Sequence, residues 1–397
     1  MAERRGAIVS TLFLIVFVDL VGFGMVIPIF PLYIESFHPG KFTFGLLAAS
    51  YSVMQFLFAP ALGRLSDRFG RRPVLLVSLL GAVAGYLLLG FAGSLAMLFA
   101  SRIVAGICGA NISTARAVIA DVYGPEGRAK GMGIIGAAFG LGFIVGPGLA
   151  GVLLRLGPWA PGVAAAATSF VAFLLTWFLL PETLRPGIGE RLRHHTFEAS
   201  RLAHVMARPA LALAVGAALL MLFAFSNFEV TFALFMTERL GLHPDKVSWT
   251  FLYAGVLAVI VQGFLIGPLS RAFGEARLVA AGTALCALAL GALPYLGGLV
   301  PVLADLAVLA FGFGIANPSL SAYASRLAAA DEIGGVMGIY ESAQSLGRIL
   351  GMFWGPVLFT GLGFAWPYRA GALLMLLGAA AAAYLASRPR PLPAEAG

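Results

Sequence analysis

Five charged side chains, Asp19, Arg102, Glu229, Glu341 and Arg348, stand well inside runs of apolar residues. A charge at the centre of a membrane helix costs about 2.5 to 3.5 kcal/mol on insertion scales, so each needs a partner, a wet cavity or a change of protonation. Asp19 shares a helical face with Phe23, Val26 and Phe30, at steps of four, three and four, which sets a carboxylate against an apolar wall. Apolar surroundings favour the neutral acid and water favours the carboxylate, so alternating exposure there becomes alternating proton affinity. Arg102 cannot release a proton itself; its work would be electrostatic, on a nearby acid, and Asp19 is the first candidate. Glu229 stands among Phe225, Phe228 and Phe232, with Asn227 beside it and no basic residue within two turns of its own helix. Such an acid could hold a cation or carry a proton. Glu341, Gln344, Ser345 and Arg348 form a polar stripe at steps of three, four and seven, suited either to a packing salt bridge or to gating. Asp305 is only about one turn into its apolar run and ranks below these. Asp19, Arg102, Glu229 and Glu341 are therefore the expected proton-coupling groups.

The elements that hold these charges are set by composition. Of 397 residues, 60% are hydrophobic and 11% charged, more apolar surface than a soluble globule of this size can hide. A span needs roughly 20 apolar residues, and twelve such stretches are expected. In the first half they cover 8–34, 43–62, 73–92, 95–120, 131–154 and 161–180, and in the second 209–237, 247–268, 277–298, 301–324, 334–358 and 367–387. The fold class is thus an all-α membrane protein of two six-helix bundles, residues 1–181 and 209–397, joined by a basic linker, 182–208. Within the linker, His194, His195 and His204 lack a third ligand type for a metal, and Phe197, Leu202 and Val205 suggest a short interfacial helix. With the N-terminus inside, about 19 Lys and Arg fall on the cytoplasmic side and about 5 outside, a positive-inside bias that accounts for the +8 net charge without nucleic acid. Cys108 and Cys286 lie in different halves and offer neither a disulfide framework nor a metal cluster. Arg4 and Arg5 followed by an apolar run look like a signal peptide, but the run is too long, carries Asp19 and has no small-residue cleavage site.

An internal duplication supports the two bundles. Gly63-Arg64-Leu65-Ser66-Asp67-Arg68-Phe69-Gly70 returns as Gly267-Pro268-Leu269-Ser270-Arg271-Ala272-Phe273-Gly274, with Arg271 where the first copy has Asp67. Gly106 and Asn111 return as Gly312 and Asn317, and Gly142, Gly146 and Pro147 as Gly351, Gly355 and Pro356. All offsets fall at about 204 to 209 residues, as in transporters whose parallel halves enclose a midplane site.

These motifs carry a resemblance. Gly63 to Pro73, with Asp67, Arg68, Gly70, Arg71 and Arg72, is similar to the G-x-L-a-D-r-x-G-r-r loop of the major facilitator superfamily. The resemblance implies that Asp67 caps a helix of the other half and that Arg71 pairs with Asp121, together closing the cytoplasmic side. Gly142, Gly146, Pro147 and Gly151 resemble the g-x-x-x-G-P-x-x-G-G signature of the superfamily's drug/proton antiporters, with Ala150 replacing one glycine, and imply a hinge or tight seal between spans 5 and 8. Leu98, Arg102 and Gly106 resemble its l-x-x-x-R-x-x-q-G pattern, in which the arginine is associated with proton transfer; Ala105 replaces the glutamine. Asp19 to Pro31 and Leu180-Pro181-Glu182-Thr183 resemble the tetracycline/proton antiporters. By the same resemblance helices 1, 4, 7 and 10 line the cavity, so Phe23, Asn111, Asn227, Phe228 and Asn317 would meet substrate, joined by Tyr340 and Gln344 of span 11, with Arg348 in a gating role.

The reading that follows is a proton-coupled antiporter exporting small lipophilic or cationic drugs by alternating access. It is expected to be a monomer in a bacterial inner membrane with both termini cytoplasmic, and to use no cofactor, since no G-x-x-x-x-G-K-[ST] loop is present. An exporter of sugars or other hydrophilic metabolites is the alternative transporter. An intramembrane enzyme would need a nucleophile and base paired within a span, or H-E-x-x-H, and the sequence holds neither.

Overall fold

The computed structural model describes residues 2–109, 111–184, 205–328 and 333–387, and every regular element among them is helical. Nine helices among the described residues are long and apolar enough to cross a membrane, and the shorter apolar helices Leu95–Cys108 and Gly140–Leu153 add to them. The histidines of the linker and the residues Phe197 and Leu202 lie outside the described residues. The chain divides into two compact units, Met1–Thr196 with Gly241–Gly255, and Phe197–Leu240 with Val256–Gly397.

The first unit holds α1 (Ala2–Val26), α2 (Phe30–Glu35), α3 (Lys41–Phe69), α4 (Arg71–Gly90), α5 (Leu95–Cys108), α6 (Asn111–Leu153) and α7 (Ala160–Leu179). These differ from the expected spans in three places, the first being the span 95–120, which is divided between α5, ending at Cys108, and α6, starting at Asn111. The single span 8–34 is broken between Val26 and Phe30, where Pro28 and Pro31 withhold backbone donors and Pro31 takes one of the first positions of α2. Conversely, the loop expected at 121–130 is helical, so α6 runs unbroken. The stretch holds Gly124, Pro125 and Gly127, but the interspersed Glu126, Arg128, Ala129 and Lys130 are good helix formers. Between α3 and α4 the chain turns on one residue, Gly70, at φ 105° and ψ 155°, a conformation essentially confined to glycine. Ser94 starts α5 by accepting a hydrogen bond on Oγ from the Met97 amide at 3.3 Å.

Lipid tails are as apolar as leucine, so helices in a membrane associate through close packing rather than through the hydrophobic effect. The unit's core shows this. Val9, Leu12, Ile15, Val16 and Leu20 of α1 pack with Leu75 and Leu79 of α4, Ala115, Val118, Ile119 and Ala138 of α6, and Ala172 of α7. Where α1 crosses α6 the backbones nearly touch: a Cβ on Gly146 would sit 2.7 Å from the Gly24 Cα, and one on Gly24 2.8 Å from the Gly142 carbonyl.

The second unit holds α8 (Pro209–Glu238), α9 (Pro244–Ile260), α10 (Ile266–Phe273), α11 (Glu275–Ala292), α12 (Leu299–Leu327), α13 (Ile333–Leu362) and α14 (Trp366–Ser387), with the first part of α9 grouped with the other unit. A π turn, Val261–Leu265, joins α9 to α10 within one span. Gly274, at φ 78°, makes the α10–α11 turn as Gly70 does its counterpart. Here the glycine-packed pair is α8 with α13: a Cβ on Gly351 would meet the Asn227 amide at 2.9 Å, and one on Gly355 the Val230 Cγ1 at 2.9 Å. The two halves of the duplication thus place their Gly-Pro helices against corresponding partners, α1 and α8.

Candidate functional site

In the first unit, Asp19 lies about two turns before the end of α1, and its Oδ1 accepts a hydrogen bond from Ser169 Oγ of α7 at 2.9 Å. Gly22, one turn further, has its Cα so close to α7 that a Cβ would meet Thr168 Oγ1 at 2.5 Å, which holds the two helices at hydrogen-bonding distance. The apolar wall beyond Asp19 is an aromatic cluster. Phe23 packs on Tyr51 of α3 and Phe143 of α6, with ring centroids 5.4 and 6.0 Å away. Phe30 faces the Arg102 guanidinium, 4.7 Å from its ring centroid.

Arg102 is 3% exposed; its Nη2 donates to Ser101 Oγ at 3.2 Å, while Nε is buried without a hydrogen-bond partner. Ser101 in turn donates to the Gly85 carbonyl at 2.9 Å, seating α5 on α4. The neighbouring Tyr86, buried on α4, feels the charges of both Asp19 and Arg102. Tyr86 and Tyr51 are the polar neighbours whose charges reach Arg102. Gln55 donates from Nε2 to the Gly109 carbonyl at 2.9 Å. Asn111 opens α6, and its side chain lies outside the described residues.

A second charged cluster fills the α3–α4 turn. Arg71 is 5% exposed and donates from Nε to Asp121 Oδ2 at 3.0 Å and from Nη1 to Ser66 Oγ at 2.7 Å, while pairing across the Gly70 turn with Asp67 in the last turn of α3. Burying a guanidinium is tolerable only with partners of this kind. Glu182, just beyond α7, completes the cluster: its Oε1 accepts from the Arg71 amide at 3.0 Å and its Oε2 from the Arg72 amide at 3.1 Å. A carboxylate at the first amides of α4 offsets both the orphan donors and the helix dipole, which the arginines alone would aggravate. Arg72 also donates to the Trp177 carbonyl, and Arg68 lies over the Phe69 ring at 5.2 Å. Gly63 contributes only its carbonyl, accepting from Ser66 Oγ at 2.8 Å; nothing lies within 4 Å of where its Cβ would be.

Gly142 and Gly146 pack against α1 rather than α9: a Cβ on Gly142 would lie 2.6 Å from Leu20 Cβ. Two other glycines of the same helix face α9. A Cβ on Gly148 would meet Leu252 at 3.3 Å, and one on Gly151 the Asp245 carbonyl at 3.1 Å, so the Gly-Pro segment is held between two neighbours. Pro147 lies on the α1 side, 3.4 Å from the Cβ position of Gly24.

In the second unit, Gln344 of α13 donates from Nε2 to Asn317 Oδ1 of α12 at 3.0 Å and to the Tyr340 hydroxyl at 3.3 Å, which draws three of the proposed substrate residues into one network. Glu229 lies within range of the Arg348 charge from α13, a cation that the sequence of α8 does not reveal. Beside it, Phe228 packs on Phe225 and Phe232 at 6.1 and 4.9 Å, and Phe225 stacks on Phe313 of α12 at 3.9 Å. The polar stripe of α13 thus divides, Gln344 serving α12 and Arg348 serving α8, while Ser345 bonds back to the Glu341 carbonyl at 2.9 Å and Glu341 itself is exposed. Asn227 has an interhelical role. Its side chain is 0% exposed and its Nδ2 donates to the Pro367 carbonyl at 2.9 Å, so it ties α8 to the start of α14.

A family model described as Major Facilitator Superfamily matches residues 12–228 and again 214–397. The chain belongs to the Major Facilitator Superfamily. It is accordingly a multi-pass membrane transporter of the major facilitator fold, not an enzyme. Similar curated members are the tetracycline resistance protein, class C, of Escherichia coli, 35% identical over 91% of each chain, and multidrug resistance protein 2 of Bacillus subtilis, 29% identical over 93% of this chain and 94% of that one. Among solved structures, the human organic anion transporter MFSD10 (TETRAN) is 27% identical with a TM-score of 0.69 over 95% of this chain and 99% of that one. A bacterial homologue of the lysosomal transporter Spinster shares the fold at 17% identity and a TM-score of 0.76, over 97% of both chains.

Ser169, Tyr86 and Phe313 do not stand out in the sequence, and Ser66 and Glu182 stand there as motif residues without their partners. An acid just past a span, close to a turn with four arginines, could have pointed to Glu182. The hydroxyl groups carry no comparable signal, because membrane helices commonly return them to their own backbone, as Thr176 does to Ala172 at 2.8 Å.

Proposed function

We propose that this superfamily member is a proton-driven exporter of small lipophilic or cationic drugs, working by alternating access in a bacterial inner membrane with both termini cytoplasmic. Asp19 carries the reading: a half-buried acid inside a span, bonded to Ser169, whose charge and that of Arg102 both reach the buried Tyr86. The multidrug and tetracycline resistance proteins among its relatives support the substrate class.

Protonated, Asp19 is a neutral group in a largely apolar cluster and favours the state that shields it. Opened to water, the carboxylate forms, helped by Arg102, and the proton leaves. The proton gradient is then spent on biasing which side the unit opens to. Glu229 and Arg348 give the second unit an acid and a cation of its own, bordered by the Phe225, Phe228, Phe232 and Phe313 rings, which suit a flat, lipophilic cation. Glu341 remains an exposed accessory acid, and Gln344, Asn317 and Tyr340 supply hydrogen bonds for substrate heteroatoms.

The test is transport of ethidium and tetracycline by the reconstituted full-length protein under an imposed pH gradient. Asp19→Asn is isosteric, and its amide oxygen still accepts from Ser169, so folding is preserved while the titratable proton is lost. Gradient-driven uptake should fall by at least about tenfold, the usual minimum for loss of an essential proton carrier, with exchange down a substrate gradient retained. Full gradient-driven transport by Asp19→Asn would sink the assignment, and transport of hydrophilic sugars in place of the dyes would sink the substrate class.

A further inference from the structure

The α10–α11 turn carries a second charged network that the superfamily resemblance does not assign. Ser270 Oγ donates to Glu275 Oε1 at 3.2 Å, and Arg326, in the last turn of α12, grips both carboxylate oxygens, Nη2 to Oε1 at 2.8 Å and Nη1 to Oε2 at 3.1 Å. The duplication relates these residues to the first turn. Ser270, Arg271 and Glu275 repeat Ser66, Asp67 and Arg71, and Arg326 stands one residue before Leu327, the repeat position of Asp121. Both charges of the turn are reversed and the partner charge beyond the turn changes sign with them, while the serine is kept and the turn glycine keeps its positive φ, 105° at Gly70 and 78° at Gly274.

The reversal has a physical logic. In the first unit the buried cation Arg71 sits at the start of α4, where the helix dipole disfavours it, and the Glu182 carboxylate is brought in to cover those amides. In the second unit the acid itself opens α11, and the base closes α12, so each charge suits its own helix end. Exposed ion pairs usually contribute little. This one is bidentate, and the Glu275 side chain is only 11% exposed against 70% for Arg326, so the carboxylate depends on its partners.

We infer that Ser270, Glu275 and Arg326 form a second latch of inverted polarity, tying the α10–α11 turn to the end of α12 and positioning these helix ends as one piece during transport. The transport role rests on the function proposed above; the latch itself does not. Two readouts keep them apart in the full-length protein. Glu275→Arg and Arg326→Glu, which each set like charges together, should speed amide exchange around Ser270–Arg277 by about tenfold, and the swapped pair should recover to within about twofold. For tetracycline, the single variants should lose about fivefold to tenfold in maximal rate with little change in half-saturation, again recovered by the swap, as for residues that move with the cycle without touching substrate. Milder Glu275→Gln and Arg326→Gln variants, paired in the same cycle, decide the exchange arm if a reversal does not fold. Native exchange and transport in the single variants, or a swap no better than the worse single, overturns the latch. If the native protein moves no tetracycline, the substrate proposal fails and the exchange arm still decides the latch. Recovery of exchange without recovery of rate would leave the network a purely structural clamp and refute its part in transport.

Discussion

At the scale of single residues, the polar side chains of this chain divide into those that join helices and those placed among other charges. Asn227 and Asp19 look alike in sequence, each one polar group in a long apolar span. Only packing separates them. Asn227 is sealed between Gly351, Gly355 and the Pro367 carbonyl, whereas the charges of Asp19 and Arg102 both reach Tyr86. Asn227→Ala should therefore lower stability in detergent by about 1 to 2 kcal/mol, the worth of an interhelical hydrogen bond plus a small cavity, with the half-saturation for substrate unchanged. A thermal unfolding series beside transport kinetics checks this, and a raised half-saturation at native stability would instead place Asn227 in the substrate site. The charges were legible in sequence because each is costly in lipid and so has few explanations. The Asn227 bond was not, because an amide is cheap enough to serve either purpose.

Among elements, glycine marks where helices touch, but sequence alone does not say which glycine touches what. Gly142 and Gly146 stand out together with Gly63 as motif residues, yet their surroundings differ. A Cβ at Gly146 would enter the backbone of α1, 2.7 Å from both the Gly24 Cα and the Val21 carbonyl, whereas one at Gly63 would meet nothing within 4 Å. Backbone cannot rotate aside as a side chain can. Gly146→Ala should thus force α1 and α6 apart at a cost of about 1 to 3 kcal/mol, and Gly63→Ala should leave the unfolding midpoint unchanged. Equal midpoints for the two variants would contradict the packing described here. Span positions were readable from hydropathy, as were most of their ends. The break after Val26 and the helical stretch through 121–130 were not, since proline and glycine occur both at the ends of membrane helices and inside them.

For the molecule as a whole, duplication and charge carry different information. The repeat is visible in sequence because glycine and proline hold backbone geometry in place, and the structure adds that the repeated Gly-Pro helices pack on corresponding partners, α1 and α8. The polarity inversion between Arg71–Asp121 and Glu275–Arg326 was hidden, because a comparison that scores similarity treats reversed charges as a mismatch when the pair is in fact preserved. Orientation, by contrast, follows from the sum of charges and not from any one contact. Arg64, Arg68, Arg71 and Arg72 crowd the α3–α4 turn and Arg271 and Arg277 flank the α10–α11 turn, while the α6–α7 connection has Arg155 alone. If positive residues are retained inside, a periplasm-dependent phosphatase fused after residue 155 should be active and one fused after residue 68 or residue 271 inactive. Moving the basic excess is the stricter measurement. Replacing Arg64 and Arg68 by glutamine leaves the buried Arg71 network intact and removes two retained charges, so orientation should hold, since about 17 inside against 5 outside still favours it. A phosphatase pattern that inverted with this change would mean that local charge near the first spans, rather than the bias along the chain, sets the topology.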